Sequence, residues 1–197
     1  MVATIAPVVH GESRSRYYLV LLLNALGGTI SAATVGALAA TVGLLLGAPW
    51  GTAGFIVVAG LALVYVVREA TGLPVPVPDR HKQVPLWWRS FYSPPVAAFL
   101  YGLGLGVGYL TYLSYGTYFA VTVAAAATGD PLLGAILCAP FGLARALSVG
   151  LANRTAREPE RPSGIDRIDA LAETPLAGIA NGAALAAVAA AAVTAVL

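Results

Sequence analysis

Residues 17–47 read YYLVLLLNALGGTISAATVGALAATVGLLLG and contain no charged side chain. The whole chain has the same character, since 58% of its 197 residues are hydrophobic and only 10% are charged. A soluble domain usually has about 25% charged residues. Long apolar runs in lipid must form helices or a closed barrel, and these runs lack the in-out alternation of barrel strands. The sequence therefore predicts an all-α, polytopic membrane helix bundle.

Five apolar runs predict about five transmembrane helices in a single integral membrane domain. The runs are residues 17–47, 51–67, 96–129, 132–151 and 174–197. They define a first helical hairpin (17–67), a proline-rich and aromatic linker (68–95), a second hairpin (96–151), a loop (152–173) and a last helix (174–197). A span needs about 20 helical residues, so the first and third runs must tilt, extend beyond the bilayer or break. Gly27-Gly28 and the glycine series at 102, 104, 106 and 108 are the candidate breaks.

Positive charge predicts the orientation of these spans. All 11 Lys and Arg residues fall in three segments, 14–16, 68–89 and 145–167, and the connections at 48–50 and 130–131 contain none. Alternating five spans puts the three basic segments on one side, which the positive-inside rule makes cytoplasmic. The sequence therefore predicts a multi-pass protein of the cell (plasma or inner) membrane with a cytoplasmic N-terminus and both linkers, 68–95 and 152–173, in the cytoplasm.

An internal repeat is predicted from the alignment of the two hairpins at an offset of 82 residues. Gly47 and Pro49 then meet Gly129 and Pro131, and the triplet at 60–62 meets the identical triplet at 142–144. Repeats are common in transporters, whose binding sites lie between them. The predicted topology makes the two hairpins parallel, with the last helix as an addition.

Polar residues inside the apolar runs are the candidate binding residues. The candidates for substrate binding are Asn24, Thr29, Ser31, Thr111, Tyr112 and Arg145. Polar groups beside broken helices can hold a substrate or ion, and ionisable groups within spans are functional hypotheses by default. The alternatives are structural, because Ser and Thr hydroxyls often bond to their own helix and Arg145 could extend its charged end to the cytoplasmic surface.

Reactive and metal-binding groups are scarce in the sequence. The chain has one cysteine, Cys138, and two histidines, His10 and His81, which have no neighbouring ligands of a metal-site spacing. No set of nucleophile, base and orienting group is visible. The sequence therefore predicts no catalytic residue, no metal, no cofactor and no nucleic-acid partner. The expected partners are the lipid bilayer, a small solute or ion, and other subunits packed through Gly/Ala-rich helices.

The stretch 99–151 resembles the second half of CcdA/DsbD-type transmembrane domains of the LysE-like superfamily. The resemblance lies in YGLGLGVG at 101–108, the turn Gly129-Asp130-Pro131 and FGLAR at 141–145. It implies thiol electron transfer across the membrane, or small-solute export in other branches. The cysteine pair of those domains is absent here, because Thr111-Tyr112 and Ser31-Ala32 stand at the matching places. Electron transfer is therefore not carried over.

Two functional hypotheses remain from the sequence. The first is a small-solute or ion transporter or exporter component with a site between Gly-rich helices. The alternative is a non-catalytic membrane scaffold or subunit of a larger complex, in which the same small residues are packing surfaces. A membrane redox or lipid-modifying enzyme ranks behind both, because the reactive residues are missing.

The predicted orientation can be tested by protease accessibility. We expect the linker at 73–92 to resist protease added outside intact cells and to be cut once the cytoplasmic side is opened, since its basic residues place it inside. Cleavage of this linker from outside intact cells would contradict the five-span arrangement.

Overall fold

The computed structural model describes residues 14–78, 91–111, 113, 116–154 and 175–194. These residues form six α-helices and no strand. The helices are α1 (Arg14–Leu45), α2 (Gly51–Thr71), α3 (Pro94–Gly106), α4 (Thr117–Thr128), α5 (Pro131–Arg154) and α6 (Pro175–Thr194). The all-α prediction is confirmed. The second hairpin begins at Pro94, and α2 continues four residues past the predicted end of the first.

Within the described ranges, three helices are long and apolar enough to cross a membrane: Ser15–Leu45, Gly51–Thr71 and Pro131–Ser148. In the part of the chain that the structure describes, two of the five predicted spans, residues 96–129 and 174–197, do not appear as helices of that length and hydropathy. The third run is divided into two short helices, and in α6 the apolar stretch Asn181–Ala190 is also short. Large apolar side chains lie exposed along one face of α1, at Leu19, Leu22, Leu26 and Ile30. An exposed apolar stripe of this kind fits a lipid solvent.

The two over-long apolar runs differ in structure: the first forms one continuous helix, and the third forms two helices. Helix α1 is continuous from Arg14 to Leu45, so the chain does not break at the candidate position Gly27-Gly28, which leaves tilting or extension beyond the bilayer for this run. The third run does break: α3 ends at Gly106, and α4 begins only at Thr117. The glycines of α1 serve close helix packing, whereas Gly108 has a positive φ of 73° that an α-helix does not accommodate.

The chain divides into two compact units. Unit 1 comprises Met1–Ala32, Arg80–Tyr112 and Ala139–Glu173, and unit 2 comprises Ala33–Asp79, Leu113–Cys138 and Thr174–Leu197. The described part of unit 1 contains the beginning of α1, all of α3 and the end of α5. Near the start of α1, Tyr17 and Val20 form a buried cluster with Ala98 of α3.

Gly28 is the point in unit 1 where three helix backbones meet. A Cβ atom on Gly106 of α3 would overlap the carbonyl oxygen of Gly28, and so would a Cβ on Gly142 of α5. A Cβ on Gly102 would overlap the carbonyl oxygen of Asn24, one turn earlier on α1. The Gly102/Gly106 pair thus forms the small-xxx-small packing surface that its spacing predicts.

Unit 2 is built on helices α2, α4 and α6. Their shared cluster of buried side chains consists of Ala62, Tyr65, Ala120, Leu185 and Ala189. Alanine at so many contact positions lets the helices approach closely. In the same unit, α1 meets α5 where a Cβ on Gly36 would overlap the carbonyl oxygen of Gly134.

The proline-rich segment after α2 is held against its own helix. Gly72 ends α2 in the left-handed conformation, and its N–H donates to the carbonyl oxygen of Arg68. The Arg68 Nε donates to the carbonyl oxygen of Val75 at 3.0 Å, and the Tyr65 hydroxyl donates to that of Pro76 at 3.1 Å. Residues 73–78 are therefore non-helical, as predicted, but they fold back on α2 and place Val75 and Val77 on the cluster of unit 2.

The direction of two helices bears on the expected repeat. In unit 1, Asn24 meets Gly102 and Gly28 meets Gly106, so α1 and α3 run in the same direction. Parallel hairpins require this direction, but many other folds contain it as well. The duplication stays a prediction.

Two glycine-to-alanine substitutions should change stability in opposite directions. Alanine favours a helix over glycine by about 1 kcal/mol. Gly60 of α2 has open space where its Cβ would be, so Gly60→Ala should stabilise the protein by about 0.5–1 kcal/mol. At Gly142 the new Cβ would meet the backbone of Gly28, so Gly142→Ala should destabilise it by about 1–3 kcal/mol.

Thermal unfolding in detergent, followed by helical circular dichroism, measures both effects. If Gly142→Ala were as stable as Gly60→Ala, the close backbone contact at Gly28 would be wrong.

Candidate functional site

The interruption between α3 and α4 is stabilised by its own hydrogen bonds. The N–H of Gly108 donates to the Leu105 carbonyl at 3.2 Å, and that of Tyr109 donates to the Val107 carbonyl at 2.8 Å. Both the N–H and the hydroxyl of Thr111 donate to the Gly108 carbonyl, at 2.9 and 3.0 Å. Tight turns at residues 105–111 therefore pair part of the backbone that the helix no longer pairs.

The interruption begins deep within the apolar part of the fold. Gly106, the last residue of α3, contacts Gly28 and the side chain of Ser31, which lie near the middle of α1. At 1.5 Å per residue, Gly28 is about 20 Å from the first residue of α1. Irregular backbone at such a depth is tolerated where protein buries it or where it lines a cavity.

The three hydroxyl candidates each bond to a nearby backbone carbonyl. Thr29 Oγ1 donates to Ala25 at 2.8 Å, Ser31 Oγ donates to Gly28 at 3.1 Å, and Thr111 Oγ1 donates to Gly108. Ser31 and Thr111 are buried, whereas Thr29 is partly exposed. Their visible hydrogen bonds match the structural alternative, in which hydroxyls serve their own segment. A role for them in binding a substrate stays a prediction.

Asn24 and Arg145 lie on facing helices of unit 1. Asn24 is completely buried, and its Nδ2 donates a long hydrogen bond of 3.5 Å to the carbonyl of Ala146, the residue after Arg145. The guanidinium carbon of Arg145 lies 5.6 Å from the centre of the Phe141 ring, and its Nη1 is buried. Arg145 therefore keeps part of its charged group inside the protein rather than extending all of it to the surface.

A third polar residue of unit 1, Tyr101, is one that the sequence reasoning missed. It lies on α3 beside Gly102, which contacts Asn24, and it is only 5% exposed. The signal in the sequence was its position next to a packing glycine, which fixes the tyrosine at a helix interface.

The structure thus brings most of the predicted site residues into one unit. Asn24, Thr29, Ser31, Thr111 and Arg145 all belong to unit 1, whereas Tyr112 lies outside the described residues. Among the residues that the structure describes, no group of three or more His, Cys, Asp or Glu side chains could hold a metal ion. The arrangement offers hydrogen-bond donors, acceptors and one positive charge, but no evident nucleophile paired with a base.

The chain is similar in sequence to methylamine utilization proteins from several bacteria. It is 37% identical over 158 residues to the methylamine utilization protein MauF of Paracoccus versutus, covering 76% of this chain and 56% of that protein. It is 32% identical over 130 residues to MauF of Paracoccus denitrificans, covering 66% of this chain and 47% of that protein. It is 32% identical over 150 residues to MauF of Methylorubrum extorquens, covering 74% and 52%.

The chain spans about half the length of the curated relatives it matches. No family model matches the chain, and no solved structure matches it.

These relatives overturn the resemblance to CcdA/DsbD-type domains. They are named MauF, which is a different family. The motifs that carried the resemblance have a packing role instead: Gly102, Gly106 and Gly142 all stand where a side chain would strike the α1 backbone. Any fold with helices this close needs glycine at such positions, so the glycine spacing did not identify a family.

Two threonine-to-valine substitutions test which hydroxyl contributes to stability, that of Thr111 or that of Thr29. Thr111→Val removes a buried hydroxyl that fixes the turn after α3, and we expect it to lower the free energy of unfolding by about 1 kcal/mol. Thr29→Val is the matched control, because the Ala25 carbonyl that its hydroxyl contacts already lies within a continuous helix. Thermal unfolding in detergent measures both, and equal losses would contradict the role given to Thr111.

Proposed function

We propose that this chain is a membrane-embedded accessory component of methylamine utilisation. The observation that carries the proposal is its 37% identity over 158 residues to a methylamine utilization protein. The aligned region covers 76% of this chain, so it includes most of the helical part. Because the chain matches only about half of each relative, the proposed role is limited to what that matched region contributes.

Within that role, the chain acts as a non-catalytic scaffold or subunit. Glycine and alanine dominate the helix contacts, as at Gly28 and in the cluster around Ala62 and Ala120. Such surfaces suit helix association in lipid, where close packing replaces the hydrophobic effect. The location that fits these features is the cell membrane, with the N-terminus in the cytoplasm and a further subunit packed against the helices.

Transport of a small solute or ion is the second candidate. The observation in its favour is the interrupted helix between Gly106 and Thr117, with Ser31 and Thr111 near its beginning. Discontinuous helices in transporters place polar backbone and side chains at the binding site. Arg145 and Asn24 would then face the solute.

A domain exchange tests the accessory role. The host is a Paracoccus versutus strain that lacks its MauF protein. It receives a plasmid that encodes a chimera, in which this chain replaces the region of MauF that it matches. The chimera should restore growth with methylamine as the nitrogen source, because helices that pack alike should support the same assembly. The measurement is growth rate, with growth on ammonium as the control for general fitness.

A second chimera carrying Gly142→Ala serves as the matched variant. It changes one methyl group at the contact between α5 and α1, and it should restore growth less well. A chimera that reaches the membrane in normal amount and leaves growth on methylamine at the level of the empty plasmid would refute the proposal.

A further inference from the structure

Two buried polar atoms of unit 1 have no hydrogen-bond partner within the described residues: Oδ1 of Asn24 and the hydroxyl of Tyr101. Asn24 is 0% exposed and Tyr101 is 5% exposed. Leaving a buried polar group unsatisfied costs about 1–3 kcal/mol. Two such costs in one small unit are unusual for groups with only a structural role, since apolar residues there would avoid them.

The two side chains lie at the same level of unit 1, where α1 packs against α3 and α5. The Nδ2 of Asn24 reaches the carbonyl of Ala146 at 3.5 Å, so its amide lies beside the turn that carries Arg145. Gly102, next to Tyr101, contacts the backbone of Asn24. Three helices therefore each contribute one polar side chain to the same region.

The donors in this region suit an oxygen anion. Arg145 supplies a permanent positive charge and a fork of N–H donors, and the Tyr101 hydroxyl can donate one more hydrogen bond. Charge-assisted hydrogen bonds of this kind are about twice as strong as neutral ones. The same charge repels a cation, so methylammonium is a poor ligand for this region.

The free acceptor atom of Asn24 restricts the range of possible ligands further. Because Nδ2 of Asn24 is directed to the Ala146 carbonyl, its Oδ1 is left to accept a hydrogen bond. A ligand that satisfies all three side chains therefore carries an O–H or N–H next to its anionic oxygens. Hydrogen phosphate, a 2-hydroxy acid and the glycerol phosphate head of an anionic lipid share this chemistry.

We propose that Asn24, Tyr101 and Arg145 form a binding site for an oxyanion that carries an adjacent hydrogen-bond donor. The site lies in unit 1, between α1, α3 and α5. Arg145 holds the anionic oxygens, Tyr101 donates a hydrogen bond to one of them, and Asn24 accepts one from the ligand. This proposal is independent of a role in methylamine utilisation, because the expected ligand is an anion and not the methylammonium cation.

Binding to the purified full chain tests the site. The protein is reconstituted in phosphatidylcholine nanodiscs and titrated with inorganic phosphate, lactate and propionate, with chloride added to match ionic strength. We expect phosphate or lactate to raise the unfolding temperature saturably. Propionate should bind more weakly than lactate, because it lacks the hydroxyl that Asn24 would accept from. Methylammonium chloride should have no saturable effect.

A lipid source is tested in a parallel set of nanodiscs. If the ligand is a lipid head group, phosphatidylglycerol should raise the unfolding temperature above that in phosphatidylcholine, and free phosphate and lactate should have little effect. Either source supports the site, provided that the effect depends on Tyr101. No stabilisation by phosphate, lactate or phosphatidylglycerol in the folded protein would overturn it.

Tyr101→Phe is the decisive variant because it removes only the hydroxyl. Without ligand it should be at least as stable as the wild type, since an unsatisfied buried group is gone. Its affinity for the effective ligand should fall about tenfold or more, the loss that follows from one hydrogen bond to a charged group. If the hydroxyl had no role in binding, Tyr101→Phe would leave the affinity unchanged.

Tyr18→Phe is the matched control, because Tyr18 is 53% exposed on α1 of the same unit. It should bind like the wild type. Arg145→Lys keeps the charge but loses the planar fork, so it should bind more weakly than wild type. If Tyr101→Phe bound the ligand as well as Tyr18→Phe, the proposed site would be wrong.

Discussion

The approach of three helix backbones at Gly28 is the constraint on which unit 1 depends. Gly106 of α3 and Gly142 of α5 both lie against its carbonyl oxygen. Helices in lipid gain little from hydrophobic burial against each other, so dispersion contacts between closely packed backbones must hold them. The same contact fixes the level at which α3 ends beside α1, and it brings Asn24, Tyr101 and Arg145 onto neighbouring helices.

Much of this architecture could be predicted from composition and charge. The apolar runs predicted helices, and each of the six described helices either starts within three residues of the start of a predicted run or lies inside one. The break near the glycine series was also predicted correctly. The other candidate break, at Gly27-Gly28, is absent. A glycine pair looks the same in the sequence whether it interrupts a helix or lets a neighbouring helix approach closely. Only the identity of the neighbouring backbone decides between the two.

The candidate site was less predictable. Asn24 and Arg145 stood out as polar residues in apolar runs, which is a property of the local sequence. Tyr101 did not, since a tyrosine near the end of a span is ordinary. The interest of Tyr101 comes from a long-range arrangement: its hydroxyl is buried without a hydrogen-bond partner among the described residues, and the neighbouring Gly102 lies against the backbone of Asn24 on another helix. The hydroxyls of Thr29, Ser31 and Thr111 attracted attention for their polarity, yet each hydrogen bond that the structure describes for them is local.

The interrupted helix also bears on how the protein enters a bilayer during synthesis. Helices of 13 and 12 residues are about 20 and 18 Å long, so neither alone spans a hydrocarbon core of about 30 Å. Irregular backbone such as that at residues 107–111 costs several kcal/mol in lipid for each unpaired group unless protein surrounds it. Residues 94–128 therefore cannot integrate as an independent stop-transfer segment. The glycines of α1 provide such a protein surface, since Gly28 packs against Gly106 of α3 and Gly43 against Ala126 of α4.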